Sequence, residues 1–473
     1  MAHETVAESF GRDVISQIAA AKRIRTSSRL ARRLDLRGKT VFTLTENAHQ
    51  NAECAFSITR THNGWQLGIH VADVSEYVCE DSPLDIEARR RFASVETEKG
   101  VSPMLPNEIL ELCCFQNGVD KLAVSMILDI DSKGNASAIR FEESVVCVSG
   151  NLVFSEIDQM AGTSDKSAVM LIRDKYSAFS ECVIDMYELA ALFCAKRRAN
   201  GGLDCTVFRR VYEKGEDGKA KAFRRESEPD SRAMIREIGY FASAAVGRFM
   251  LDNALPCMFI GQETLPDNVI EYLYKLTGCE SKETDPARLL ADIADCAKGT
   301  ELYGFVCDLI SASLPCSVFY GKPAVNASCG YNTVISFVHP AHRYSDILTQ
   351  RIIKETIAAK AKTYNLNINR YLKYVDRAAA DASASERYLY DCRKANQFRL
   401  ATEFLLNSDQ SEFLAYPCIV DGNGNLLLFM ECGLNAVAPK EYVGNLEFAV
   451  GSPISVEVIT LGEDFQPVIV RPV

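Results

Sequence analysis

The run AFSITRTHNGWQLGIHVADVSEYV, residues 55–78, constrains the fold most. Two stretches rich in β-branched and aromatic residues flank His62-Asn63-Gly64, a tight-turn signal, so the segment reads as a β-hairpin. KTVFTL, residues 39–44, reads as a further strand just before it. The polar stretch between them hangs from two buried strands, a place where sites are often built. It holds Glu46 and Glu53 as its only carboxylates and has no aspartate.

The same reasoning extends along the chain. Residues 11–34 read as one helix, amphipathic at first and basic at its end through Lys22, Arg23, Arg25, Arg29, Arg32 and Arg33. A short helix is expected over 84–95 and a strand over 121–131 that ends in the turn Ser132–Asn135. Residues 154–200 and 343–407 read as mostly helical, 201–223 as a hairpin turning at Glu216–Lys219, and 230–255 as a buried apolar helix. Composition shifts near 410, where short apolar segments alternate with turn residues. A small β-barrel of OB type is the expected tail. The expected division is a helical leader over 1–33, an α+β body over 34–407 and the barrel over 408–473.

Composition narrows the function classes. With 473 residues, 47% hydrophobic, the chain supports large cores in two or three domains. No apolar run reaches the ~18–20 residues a membrane helix needs. The segment MAHETVAESF lacks the apolar core of a secretory signal. A cytoplasmic protein with no membrane partner is the expectation. The net charge of −11 argues against broad coating of nucleic acid, while leaving room for one basic groove. The 17 cysteines are scattered without a CxxC pair and read as reduced thiols. The six histidines show no zinc-ligand spacing, and no phosphate-loop, dinucleotide or nucleophile-elbow motif is present.

From about residue 34 onward the chain resembles the RNB family, the catalytic domain of ribonuclease II and ribonuclease R. The resemblance rests on DLRGKTVFTL (35–44), LGIHVADVSEYV (67–78), LDIEARRR (84–91), PMLPNEI (103–109), VDKLAVSMILDID (119–131), RRANGGLD (197–204) and FVHPAHRYSDILTQR (337–351), in the family's order. It implies an α+β body with a narrow channel for single-stranded RNA and an OB-type RNA-binding barrel behind it. In the family two cold-shock barrels precede the body; here a short helical leader is expected in that place.

In the family the loop before the hairpin reads T-I-D-x5-D-x-D-D-A, and its aspartates hold magnesium for 3′-to-5′ hydrolysis. Magnesium needs hard oxygen ligands in near-octahedral array, and two such ions clamp the attacking and leaving oxygens on phosphorus. The four motif positions here are Thr45, Asn51, Glu53 and Cys54, so one acid remains. The phosphate-binding segment F-T-S-P-I-R-R-Y becomes Phe337–Tyr344, with His342 in place of the first arginine and Arg343 retained. Y-R-V-H-E becomes Phe259–Glu263, and A-N-E becomes Ala242-Ser243-Ala244.

The resemblance thus names Glu53, Asn51 and Arg343 as degenerate catalytic positions and Thr45, Asn51, Glu53 and Cys54 as degenerate metal positions. The expected RNA contacts are Arg343, Tyr344, His342, Arg351 and Phe429, the last as a stacking ring on the barrel. Plain physical roles compete with these: Cys54 as a packed thiol, Arg343 with Asp346 as an i,i+3 pair, Tyr344 as core, Asp204 as a turn residue. The leading expectation is a ribonuclease II-like pseudoenzyme that acts by binding single-stranded RNA and needs no cofactor. The alternatives are an exoribonuclease using Mg2+ or Mn2+ on Glu53, Asn51 and Glu46, or a scaffold for a protein partner. Convergence of the leader arginines, Arg209, Arg210, Arg224, Arg225, Arg343 and Arg351 on one groove would favour RNA.

Overall fold

The computed structural model describes residues 10–473 apart from 25–28, 48–49, 98–99, 163–165, 206–207, 361–367, 445–447, 450 and 463–464. Arg25, His3 and His49 therefore lie outside the described residues. The body is built on a seven-stranded sheet. Its strands are β1 (Leu34–Asp35), β2 (Phe42–Thr45), β3 (Cys54–Thr61), β4 (Gly64–Ala72), β5 (Asp120–Asp131), β6 (Ala136–Cys147) and β7 (Gly150–Val153). The spatial order is β1-β6-β5-β4-β3-β2-β7.

The predicted hairpin is β3–β4, with Thr61 opposite Gly64 and a two-residue turn between. Gly64 sits at φ 149°, and a Cβ there would lie 2.2 Å from the Ile130 carbonyl oxygen, so only glycine fits. Side chains alternate between two cores, as period-2 strands require. Phe56, Ile58, Leu67, Ile69, Val124 and Met126 point one way, and Ala55, Ala72 and Ala123 the other.

The first core is roofed by α3 (Ser180–Ala199) and α4 (Asp230–Asp252), joined by the stacked rings of Phe193 and Phe241. The second is covered by α1 (Arg12–Ala21), α2 (Pro83–Arg91), α8 (Tyr344–Lys360) and α9 (Ile368–Asn407). Three short helices, α5 (Asp267–Thr277), α6 (Pro286–Ala297) and α7 (Tyr303–Ser313), enclose a separate small core. The hairpin β8 (Phe208–Lys214) and β9 (Ala220–Ser227) links body to tail. The tail closes as a five-strand barrel of β10 (Phe413–Val420), β11 (Leu426–Met430), β12 (Asn435–Ala438), β13 (Ile454–Thr460) and β14 (Val468–Pro472).

Two element expectations are corrected. The leader is not one helix: α1 stops at Ala21, and Leu34–Asp35 instead pairs with Ser144–Val145 of the sheet. The helix expected over 84–95 ends at Arg91, because Phe92 turns to φ 62° and Ala93 bridges to Arg343. Among the described residues no helix is long and apolar enough to cross a membrane.

Candidate functional site

The motif loop joins β2 to β3 and is pinned where Phe115 N–H donates to the Ala52 carbonyl at 2.6 Å. Thr45 is buried at the end of β2, with Oγ1 2.8 Å from Asn47 O and 2.9 Å from Asn151 Oδ1. Asn51 is exposed. Glu53 leans across to the segment 337–344. Its Oε1 is 2.6 Å from His339 Nδ1, and its Oε2 accepts the Ala341 N–H at 2.9 Å. Partial desolvation lowers the His339 pKa, but the Glu53 carboxylate outweighs this and holds it above the usual imidazole value, although the ring is half exposed. Burial, with Glu53 alongside, pushes the Cys54 thiol far up, so it stays protonated.

The segment 337–344 is fixed by Asp346, which accepts the His339 N–H at 2.8 Å and bonds Ser336 and Ser345. The expected Arg343–Asp346 pair is therefore not formed, since the carboxylate is committed to the loop. Arg343 instead lines a cavity of about 440 Å³ with Cys54, Arg236, Tyr240 and His339. Among the described residues no carboxylate pairs with it. His342 is exposed, with Nδ1 3.1 Å from Ser94 Oγ.

A second cavity of about 440 Å³ lies between α9, the β8–β9 hairpin and the barrel. The two cavities share Gln262, Ser317 and Glu386 as walls and so adjoin. Gln262 is held there by its bond to the Pro315 carbonyl at 2.8 Å and by Ser328.

Three of the expected RNA contacts, Tyr344, Arg351 and Phe429, are buried. The Tyr344 hydroxyl donates to Asp85 at 2.9 Å, and Arg351 donates to Asp85 and to the Val78 carbonyl, both at 2.7 Å. Both side chains brace the frame behind the cavity. Phe429 is 4% exposed and covered by Phe305. Asp204 is bound by Lys298 at 2.9 Å and Arg198 at 3.3 Å, so its charge is already matched.

Several of the candidate arginines are paired with acids, although Arg210 also lines the second cavity. Arg29 and Arg33 bind the acids Asp73, Glu76 and Glu143. Arg210 and Arg225 both bind Asp308, while Arg224 pairs with Glu213 and Glu226. Asp73, Glu76 and Glu143 form a cluster that sequence reading missed, with oxygens close enough to hold a metal ion. Arg33 and Lys354 fill it, at 2.7 and 2.8 Å from Asp73. Burial works to raise the Asp73 pKa, but those two cations pull it down to about 2.

A model of the RNB domain matches residues 33–359. Ribonuclease R 1 of Lactococcus lactis is 22% identical over 97% of the chain, which spans 58% of that protein's length. The solved structure of Mycoplasma genitalium RNase R with ribose-methylated single-stranded RNA superposes with a TM-score of 0.80 at 15% identity, covering 98% of this chain and 76% of that one. Yeast Ssd1, described as a pseudonuclease, superposes at 0.61 with 16% identity, covering 92% of this chain and 53% of Ssd1.

Proposed function

The chain belongs to the RNB domain family, and we propose that it is a member that takes up single-stranded RNA without hydrolysing it. The observation that carries this is the Glu53 carboxylate, whose two oxygens are engaged by His339 Nδ1 and the Ala341 N–H. Magnesium bound at ~2.0–2.1 Å by several anionic oxygens cannot be assembled from what remains. Thr45 is neutral and bonded to Asn151, Asn51 is neutral, and Cys54 is a protonated soft donor. These residues do not fit a two-ion site.

RNA uptake is supported by the adjoining cavities and by Arg343, which lines one of them and carries the guanidinium fork that suits a phosphate. The relative from Mycoplasma binds single-stranded RNA on the same fold. A second reading, a protein-binding scaffold, has its own support in the dispersal of the other arginines onto acids.

Titration calorimetry with Mg2+ and Mn2+ tests the first half of the proposal, and filter binding of a labelled oligouridine the second. The expected result is no saturable ion binding, together with RNA retention that Arg343→Ala weakens. Saturable ion binding abolished by Glu53→Ala would overturn the metal-free reading. No RNA retention would leave the scaffold.

A further inference from the structure

The barrel carries an aromatic pair on its outer face. Tyr416 of β10 and Phe429 of β11 are direct cross-strand partners. The barrel interior is filled by their alternating neighbours Phe413, Ala415, Leu428 and Met430, so these two rings point outward. An outward pair of rings on an OB-type barrel is a platform on which nucleobases stack.

Here the platform is already occupied. Phe305 of α7 lies over it, its ring centroid 4.4 Å from that of Tyr416 and tilted by only 14°. The same ring lies 6.2 Å from Phe429. Phe305 is 2% exposed. The helices are latched there by polar contacts. Asp308, one turn beyond Phe305, accepts Arg210 at 2.6 Å and Arg225 at 3.0 Å, and the Tyr272 hydroxyl donates to the Pro417 carbonyl at 3.3 Å. Gly451 of the barrel, at φ 85°, comes so close that a Cβ would lie 2.5 Å from Leu276 and 2.9 Å from Leu302.

We infer that Phe305 stands where a nucleobase would stack, so that the α5–α7 module caps a second surface for single-stranded RNA on the barrel. The choice of RNA as ligand rests on the function proposed above. The geometry of capping does not. In the closed state the cavity beside Arg343 is the RNA surface, and release of α7 adds the barrel.

The test measures oligouridine affinity by fluorescence anisotropy for the full chain, Tyr416→Ala, Phe305→Ala and the double variant. Tyr416→Ala alone is expected to leave affinity unchanged, because the ring is covered. Phe305→Ala is expected to tighten binding by about 5- to 150-fold, the range of one base–aromatic stack. The double variant is expected to lose that gain. Phe305→Leu, which keeps apolar volume without a flat ring, takes the place of the alanine variant should that not fold, with a gain in the same direction. The inference is overturned if the folded Phe305 variant binds no tighter, or if Tyr416→Ala alone weakens binding. Should RNA uptake at the cavity fail instead, the parent chain binds nothing while the Phe305 variant still gains binding.

Discussion

Acid should destabilise this protein through one histidine in the middle of its sheet. His70 on β4 is 1% exposed, with Nε2 3.0 Å from Ser57 Oγ and Nδ1 2.7 Å from Ser125 Oγ. Burial, with Lys39 nearby, lowers its pKa from 6.5 to about 3. The unfolded chain therefore binds a proton near pH 6.5 that the folded chain refuses until about pH 3. Between these values the unfolded state holds more protons, so stability falls as pH falls. At about 1.4 kcal/mol per unit, the loss is roughly 2 kcal/mol by pH 5 and approaches 5 kcal/mol near pH 3. His70→Asn retains polar contacts to the serines without a titrating group. Its cavity cost is the same at every pH. Urea unfolding at pH 7 and pH 5 should show the parent chain losing about 2 kcal/mol more than the variant across that interval. Equal losses in the two proteins would refute the assignment of a neutral buried His70.

Other perturbations follow from the same contacts. Glu237→Gln leaves Arg197, 1% exposed and bonded to Glu237 by two N–H donors at 2.7 Å, without its counter-charge; denaturant unfolding should show a loss of about 3–5 kcal/mol. Tyr344→Phe deletes the hydrogen bond to Asp85, which keeps Arg351; about 1–2 kcal/mol of stability should go while RNA affinity is unchanged. Arg343→Ala should weaken oligouridine binding about tenfold with thermal unfolding unaltered, the loss of one charged hydrogen-bonding partner.

Much of this was readable in the chain because strands and turns are local. The His62–Gly64 turn signalled a hairpin, and the structure pairs it from Thr61–Gly64 to Cys54–Val71. The shift near 410 placed a barrel that closes from Phe413 onward. The absence of aspartate from the loop is plain in the sequence, whereas the contacts that Glu53 makes are not. The partners of Glu53 are His339 and Ala341, 286 and 288 residues away, and no periodicity encodes such a meeting. The burial of Tyr344 and Arg351 against Asp85 was not legible for the same reason. A position in a motif does not say which way a side chain faces, and Asp85, their buried partner, lies on another helix. Phe429 does face outward on its barrel, but a helix remote in sequence covers it.

The most direct test is incubation of a 5′-labelled single-stranded oligoribonucleotide with the protein and Mg2+ or Mn2+, beside Glu53→Ala. Full-length RNA is expected in both lanes, because Glu53 is committed to His339 and Ala341 and the other motif positions are neutral. A ladder of 3′-shortened products that Glu53→Ala abolishes would contradict it and make the loop a working metal site.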